Sequence, residues 1–325
     1  MNVGAGRSEI DTTIHRDFIF FLPVPPFQFS PPTEVFDDHQ EHTNAYLYSR
    51  VGLPGNVHLT LGASADFYED VFVEKNRFNP KLGLTWNPHP GTTIRAAAFS
   101  GMRRTLNTDQ TIEPTQVAGF NQFFDDFNGA TFWRYGGAID QAFSTELSGG
   151  AEYSWRDLKY TTASTDPSGT TLEEIEWKER TGRAYLYWTP HPWFALSAEY
   201  FYEWLDRGTI ATIDGIDKVT TNRFPLGASF FHPCGASAGF KATYIDQDGR
   251  FVPQNSPDGT PGEYGDDQFW VVDASIGYRL PKRWGILTLE AKNLFDKTFR
   301  FQDTDHDNPS IQPERTVVFR FTLSI

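Results

Sequence analysis

The chain has 325 residues, of which 22% are charged, and a formal net charge of −14 at pH 7. Its mean hydropathy is −0.47, and no run of 18 apolar residues occurs, so a membrane-spanning helix is excluded. An acidic chain is repelled by phosphate backbones, and nucleic acid is therefore not an expected partner. These properties do not exclude a membrane-spanning β-barrel, because such barrels alternate apolar and polar residues and need no long apolar run.

Alternation of apolar and polar residues with period two recurs from one end of the chain to the other. It predicts fourteen strands, at residues 8–19, 42–53, 57–68, 77–87, 92–103, 131–144, 146–158, 174–189, 193–206, 220–232, 236–248, 266–280, 285–297 and 314–325. Short turns rich in Pro and Gly alternate with long loops between them, which is the asymmetry of outer-membrane barrels. We therefore predict an all-β fold, a single transmembrane antiparallel up-and-down β-barrel over residues 1–325 in the bacterial outer membrane, with about fourteen strands and no plug domain.

The same alternation assigns two faces to each strand. In 146–158, for example, Tyr153 and Trp155 lie opposite Glu152 and Arg156. A charge that faces lipid at the midplane costs about 2–4 kcal/mol, so the charged face should line a watery lumen. The residues predicted to face lipid are Trp133, Tyr153, Leu196, Val272, Leu289 and Phe321. The residues predicted to line the lumen, where they would select a solute or pair with one another, are Arg134, Glu152, Arg183, Glu199, Lys241, Asp273, Glu290, Lys292 and Arg320.

The longest predicted loop, 104–130, carries several aromatic residues among amides and acids. Exposed aromatic residues are costly unless they pack or bind, so the loop either contacts a ligand or partner outside the barrel or folds back to plug or brace its mouth. The candidate contact residues are Phe120, Asn121, Phe123, Phe124, Asp125, Asp126 and Phe127.

The last predicted strand has one apolar face that runs to the end of the chain. That face indicates a closing strand in contact with lipid and a C-terminal signal for the outer-membrane assembly machinery, and its residues are Phe319, Phe321, Leu323 and Ile325. The lipid bilayer and the assembly machinery are therefore the expected partners.

Chemistry-bearing motifs are scarce. No nucleophile elbow, phosphate loop, His-Glu-x-x-His or cysteine-based motif occurs, so neither an enzyme nor a cofactor is expected. The single Cys234 excludes an intramolecular disulfide. A weak cation candidate lies at Asp303, Asp305 and Asp307, but no glycine and no bidentate Glu complete a calcium loop, so a solvated acidic loop is the alternative and no metal site is predicted.

Three stretches resemble a known family. Residues 78–86 (Phe-Asn-Pro-Lys-Leu-Gly-Leu-Thr-Trp), 291–299 (Ala-Lys-Asn-Leu-Phe-Asp-Lys-Thr-Phe) and 313–316 (Pro-Glu-Arg-Thr) resemble the C-terminal barrel portion of TonB-dependent receptors. More narrowly, residues 93–99 and 113–126 resemble receptor-like barrels behind periplasmic tetratricopeptide repeats. The resemblance implies an outer-membrane barrel that takes part in the uptake of an unknown small solute.

The departures from that family matter as much. Full receptors have 22 strands around a plugged lumen, whereas fourteen strands are predicted here. The sequence contains no TonB-contacting segment and no 34-residue repeat. The final residue is Ile325, where the family usually has an aromatic residue. Residues 1–7 do not read as an export signal, so the N-terminus is expected to be processed, engineered or truncated. The chain is thus expected to be a truncated or plug-less segment whose plug or periplasmic domain is missing. The alternatives are an autonomous passive pore, and an anchoring or interaction barrel that transports nothing.

The segment of a larger barrel and the autonomous pore differ at the barrel seam, which is the place where the first and last strands meet. In a segment of a larger barrel the first and last strands should pair poorly or leave open edges. In an autonomous pore they should form a continuous hydrogen-bonded ladder.

Overall fold

The computed structural model describes residues 1–17, 20–21, 28–29, 34–104, 111, 113–123, 126–166, 169–207, 216–251, 263–301 and 311–323. Fourteen strands form one antiparallel sheet in which neighbours in the chain are neighbours in space. They are β1 (Asn2–Arg16), β2 (Glu34–Leu53), β3 (Val57–Glu69), β4 (Glu74–Trp86), β5 (Thr92–Met102), β6 (Thr131–Ala142), β7 (Leu147–Asp166), β8 (Gly169–His191), β9 (Phe194–Asp206), β10 (Ile216–Phe231), β11 (Ala236–Phe251), β12 (Glu263–Arg279), β13 (Gly285–Lys292) and β14 (Thr316–Leu323). The predicted fourteen-stranded meander is confirmed.

Other regular structure is minor. Two-residue strands pair Phe20–Phe21 with Gln28–Phe29, and Gln116–Val117 with Phe120–Asn121. A 3₁₀ turn covers Pro281–Arg283. Within the ranges given above, no helix is long and apolar enough to cross a membrane.

Several strands extend beyond their predicted bounds on the side away from the short turns. β2 starts at Glu34 instead of 42, and β7 continues to Asp166 instead of 158. In the extension of β2 the outward residues Asp37, His39 and Glu41 are polar or charged, so the backbone ladder continues after the apolar alternation has ended. β13 is shorter than predicted: it ends at Lys292 instead of 297, because the next residue, Asn293, has a positive φ of 47°.

Asn293 explains part of the motif at 291–299. Its side chain is fully buried and donates to the carbonyl oxygens of Lys297, Gln312 and Pro313, while its side-chain oxygen accepts from the backbone N–H of Lys297 at 2.8 Å. The amide thereby ties the end of β13 to the segment that leads into β14.

The outward face of the wall carries an apolar band. On β11 the outward residues run Ala236, Ala238, Phe240, Ala242 and Tyr244, and the next two are acidic. Nine residues at about 3.3 Å each span about 30 Å along the strand, and a tilt near 40° reduces this to about 23 Å, close to the usual band of about 25 Å. The height fits the apolar thickness of an outer membrane.

Aromatic pairs mark the edge of this band away from the short turns. Their ring centroids are 5.1 Å apart for Tyr135 and Trp155, 4.8 Å for Tyr200 and Phe224, and 5.3 Å for Tyr244 and Trp270. Tyr and Trp collect at membrane interfaces because their rings are apolar and their polar atoms reach water. Together they form the girdle expected of an outer-membrane barrel.

The seam of the wall is open. β1 pairs with β2 alone and β14 pairs with β13 alone, so no ladder joins β1 to β14 among the described residues. Each of the two strands therefore presents one row of backbone N–H and C=O groups without a partner strand.

Candidate functional site

The inner face of the wall is the one against which residues 113–123, 126–127 and 311–312 pack. Side chains directly opposite each other on paired strands share a face, and the register places Glu152 opposite Arg183 and Lys241 opposite Asp273. All nine residues predicted to line the lumen lie on this face: Arg134, Glu152, Arg183, Glu199, Lys241, Asp273, Glu290, Lys292 and Arg320.

A cavity of about 680 Å³ opens on the inner face between β9 and β13. Its size falls within the range of about 300–1,000 Å³ found for small-molecule sites. Three cations and three carboxylates line it, so their formal charges cancel, and they are Arg223, Lys241, Lys292, Glu199, Asp273 and Glu290. Five of the nine predicted residues therefore meet at one place, and Arg223 joins them.

Two of the carboxylates are held by neighbours. Glu199 accepts a hydrogen bond of 2.7 Å from Nη2 of Arg183, which also donates to the hydroxyl of Tyr187 at 2.7 Å. Asp273 accepts from the backbone N–H of Asn293 at 2.9 Å. These contacts fix the orientation of both carboxylates in the cavity wall.

The remaining charges of the cavity are not paired. In the part of the chain that the structure describes, Lys241, Lys292 and Glu290 have no ion-pair partner within 4.0 Å. Arg223 lies 5.5 Å from the ring of Phe201, and its buried Nε has no hydrogen-bond partner. A buried donor without an acceptor is costly, so the cavity offers unsatisfied groups to a polar solute.

Of the other charges predicted to line the lumen, some have a hydrogen-bond partner and one lies on the edge strand of the sheet. Arg134 donates to Oγ of Ser154 at 2.9 Å. Glu152 accepts from Nη2 of Arg95 at 3.2 Å. Arg320 lies on the edge strand β14, opposite Thr288. Thus Glu152 and Glu199 are each paired with an arginine, while Lys241, Lys292 and Glu290 have no ion-pair partner among the described residues.

Residues 113–123 and 126–130, which we call the inner segment, fold back onto β2–β8. Phe120 is only 1% exposed and packs with Phe99 and Phe132. A Cβ on Gly136 would lie 2.3 Å from the Phe120 ring, so only glycine leaves room for it. Phe120 is therefore not available to a ligand or partner outside the barrel, which corrects the expectation of an exposed contact residue.

Other candidate contact residues of this loop are also engaged. Asn121 accepts at its side-chain oxygen from Gln116 at 3.0 Å. The guanidinium of Arg104 lies 5.2 Å from the ring of Phe123. Phe127 stacks on Tyr160 at 4.7 Å yet remains 40% exposed. Phe124 and Asp125 lie outside the described residues.

Asp126 ties the inner segment to the wall. Its carboxylate accepts from Arg156 at 2.5 and 3.0 Å, and the same guanidinium donates to Glu179 at 2.7 and 2.9 Å. The side chains of Asp126 and Arg156 are each 6% exposed. Charge-assisted bonds of this kind are about twice as strong as neutral ones, so the contact clamps the segment against β7 and β8.

A second buried contact was not foreseen from the sequence. Glu113 accepts from the hydroxyl of Tyr48 at 2.5 Å and from Arg104 at 2.9 Å, and its side chain is 4% exposed. Gln122 donates to the same tyrosine oxygen at 2.9 Å. Tyr48 is more than sixty positions from both Glu113 and Gln122 in sequence, and no local pattern signals such a contact.

The residues of the proposed assembly signal lie on the outward face of β14. Phe319, Phe321 and Leu323 are 68%, 51% and 61% exposed, so they can meet lipid. Ile325 and the weak cation candidate Asp303, Asp305 and Asp307 lie outside the described residues.

Comparison with known proteins identifies this architecture. Residues 8–166 match the family model described as a TonB-dependent receptor-like β-barrel. No curated protein sequence is significantly similar to the chain.

Solved structures with the same fold include two bacterial transporters and one bacterial receptor. The FrpB iron transporter from Neisseria meningitidis gives a TM-score of 0.67 at 14% identity, with 87% of this chain and 46% of that chain covered. The outer-membrane transporter YddB from Escherichia coli gives 0.63 at 12% identity, covering 98% and 50%. The ferripyoverdine receptor of the outer membrane of Pseudomonas aeruginosa gives 0.61 at 12% identity, covering 99% and 48%. Identities this low show the fold alone, and the chain spans about half the length of each of these structures.

Proposed function

We propose that this chain, whose residues 8–166 match the TonB-dependent receptor-like β-barrel family, serves the uptake of a small solute as a segment of a larger receptor barrel in the bacterial outer membrane. In this proposal the fourteen strands are one part of the wall. Further strands complete the barrel by pairing with β1 and β14.

The observation that carries the proposal is the open seam. β1 has fifteen residues and β14 has eight, and each is paired along one side only. Open edges of this length are an aggregation liability in a free-standing protein. A larger barrel removes the liability, because closure is what abolishes edges in membrane β-proteins.

The cavity supplies the place for a solute. Its unpaired Lys241, Lys292 and Glu290 lie on the inner face, where a passing or bound solute would meet them. Rings of charged side chains give membrane pores their selectivity. In this role the nine inner charges divide into pairs that hold the wall and free groups that contact the solute.

The test is disulfide cross-linking across the seam of the purified chain, with Cys234→Ser removing the one exposed native cysteine. Cysteines are placed in pairs along β1 and β14. The control pair, Ala238→Cys with Ile276→Cys, lies directly opposite on β11 and β12 and should cross-link in any folded state. We expect cross-linking in the control and none across the seam.

The opposite result would establish the passive pore. It requires disulfides along the β1–β14 seam together with steady single-channel conductance of the same protein in planar bilayers.

A second function is favoured by the inner segment, which fills the inner face of β2–β8 with packed rings and buried ion pairs. A barrel braced in this way could anchor or hold a partner without transport. Growth of the host cell distinguishes the two functions. If the cavity takes up a solute, Lys241→Gln and Glu290→Gln should slow growth on limiting nutrients. If the barrel is an anchor, both variants should grow as the unaltered cell does.

A further inference from the structure

A group of carboxylates and one imidazole lies on the outward face of β1 and β2. Glu9 and Asp11 of β1 stand directly opposite Glu41 and His39 of β2. The small and apolar outward residues of β2 end at Ala45. The group therefore lies beyond the apolar band, on the side away from the short turns, and water reaches it.

Three of these side chains converge. The ligand atoms of Glu9, His39 and Glu41 all lie within 4.8 Å of one another, and Nε2 of His39 is 4.0 Å from Oε1 of Glu9. In a tetrahedral zinc site with bonds of about 2.0–2.2 Å, ligand atoms are about 3.5 Å apart. The three side chains are 53%, 52% and 35% exposed, so side-chain rotation alone can close the remaining distance of about 1 Å.

Asp11 prepares the imidazole for coordination. Its Oδ1 lies 2.6 Å from Nδ1 of His39, which places the ring proton on Nδ1 in the neutral imidazole. The lone pair of Nε2 is then directed toward the two glutamates. A carboxylate behind a histidine in this way is the usual support of a metal-ligating imidazole.

The charges call for a cation at this place. Glu9 and Glu41 are direct cross-strand partners, and like charges in that position repel each other. Nη2 of Arg7 lies 2.6 Å from Glu41 and 4.0 Å from Glu9. Arg7 therefore supplies the compensating charge and competes with any metal ion for the same carboxylates.

We infer that Glu9, His39 and Glu41 form a binding site for a divalent transition-metal ion of the Zn²⁺ class, with Asp11 as the positioning residue for His39. One imidazole nitrogen and two carboxylates suit Zn²⁺, whereas Ca²⁺ takes six to eight oxygen ligands. The fourth position of such a site is open to water. The site is separate from the cavity between β9 and β13 and does not depend on the proposed uptake function.

The experiment titrates Zn²⁺ into the purified full chain in detergent micelles, in competition with a chromophoric chelator of known affinity. We expect one Zn²⁺ per chain. His39→Asn should abolish this binding, and Glu9→Gln or Glu41→Gln should weaken it by more than about tenfold, since even a supporting residue such as Asp11 is worth about 10–100-fold. His58→Asn is the matched control, because His58 is exposed and belongs to no metal-competent group among the described residues.

The variant Arg7→Gln gives a more specific test. It removes no metal ligand, and it takes away the guanidinium that competes with a metal ion for Glu9 and Glu41. Zn²⁺ should bind this variant more tightly than it binds the unaltered chain. The inference is overturned if the unaltered chain and Arg7→Gln both fail to bind Zn²⁺, or if His39→Asn and His58→Asn bind it equally well. A ligand variant that does not fold leaves the Arg7→Gln result to decide.

Discussion

Arg156 holds the inner segment to the wall, and replacing it with Gln tests that role. The substitution leaves the carboxylates of Asp126 and Glu179 next to each other without their shared cation. Removing one partner of a buried ion pair costs about 3–5 kcal/mol, because the other charge stays buried. Glu179 is 24% exposed and keeps some hydration, so we expect the lower end, about 3 kcal/mol of the free energy of unfolding.

Urea titration of the chain in detergent micelles, followed by tryptophan fluorescence, measures this loss. Trypsin provides a local readout, since detachment of the inner segment exposes Arg103 and Arg104 at its base. The matched control is Lys159→Gln on the same strand, where an exposed lysine is paired with Glu174 at 3.2 Å. Exposed pairs contribute little, so this variant should unfold at the same urea concentration as the unaltered chain.

The reasoning fails if Arg156→Gln and Lys159→Gln behave alike in both assays. A rescue sharpens the result. Combining Arg156→Gln with Asp126→Asn and Glu179→Gln removes the uncompensated charges and leaves amides that can bond to one another. Part of the lost stability should therefore return.

Three further predictions concern the faces, the packing and the charges of the wall. Leu226→Arg puts a cation in the middle of the outward band and should cost about 2–4 kcal/mol of the free energy of unfolding in bilayers. Ser275→Arg on the inner face should cost far less. Equal costs for the two variants would refute the assignment of faces. Phe120→Ala should cost about 3–5 kcal/mol in urea titration, because the ring is 1% exposed. Glu176 lies opposite Lys159, beyond the aromatic girdle, and its pKa is below the ordinary value because Lys159 donates to its carboxylate, so Lys159→Gln should raise that pKa in an NMR titration. The accompanying stabilisation is present above the ordinary pKa and lost as pH falls through the lowered one, and because the pair is exposed it is too small to shift the urea midpoint.

The sequence was most informative where the wall meets lipid. On β11 the apolar outward residues alternate without exception from Ala236 to Tyr244, because lipid on one side and water on the other select opposite residues at successive positions. Beyond the band both sides are wet, and β2 continues as a strand through Asp37, His39 and Glu41 with no alternation to reveal it. Predicted bounds therefore failed at the outer ends and held at the short turns.

The contacts between residues that are distant in the sequence came only from the structure. Tyr48 and Glu113 are 65 positions apart, and His39 stands opposite Asp11 only because β1 and β2 pair in one particular register. The histidines show no metal-ligand spacing along the chain, and none was predicted to bind metal. Contacts of this kind depend on register and on the path of a long loop, neither of which leaves a periodic trace in the residues.

The two halves of the inner face are used differently, and this bears on where the rest of the barrel attaches. The inner segment occupies β2–β8 through packed rings and paired charges, while the cavity between β9 and β13 keeps Lys241, Lys292 and Glu290 unpaired. Glu290 and Lys292 lie on β13, one strand from the open edge of β14. Strands added at that edge would extend the wall next to these two charges and could contribute further side chains to the cavity. The proposed segment of a larger barrel therefore predicts that solute binding at the cavity depends on a paired β14, whereas in a passive pore the same strand would already be closed against β1.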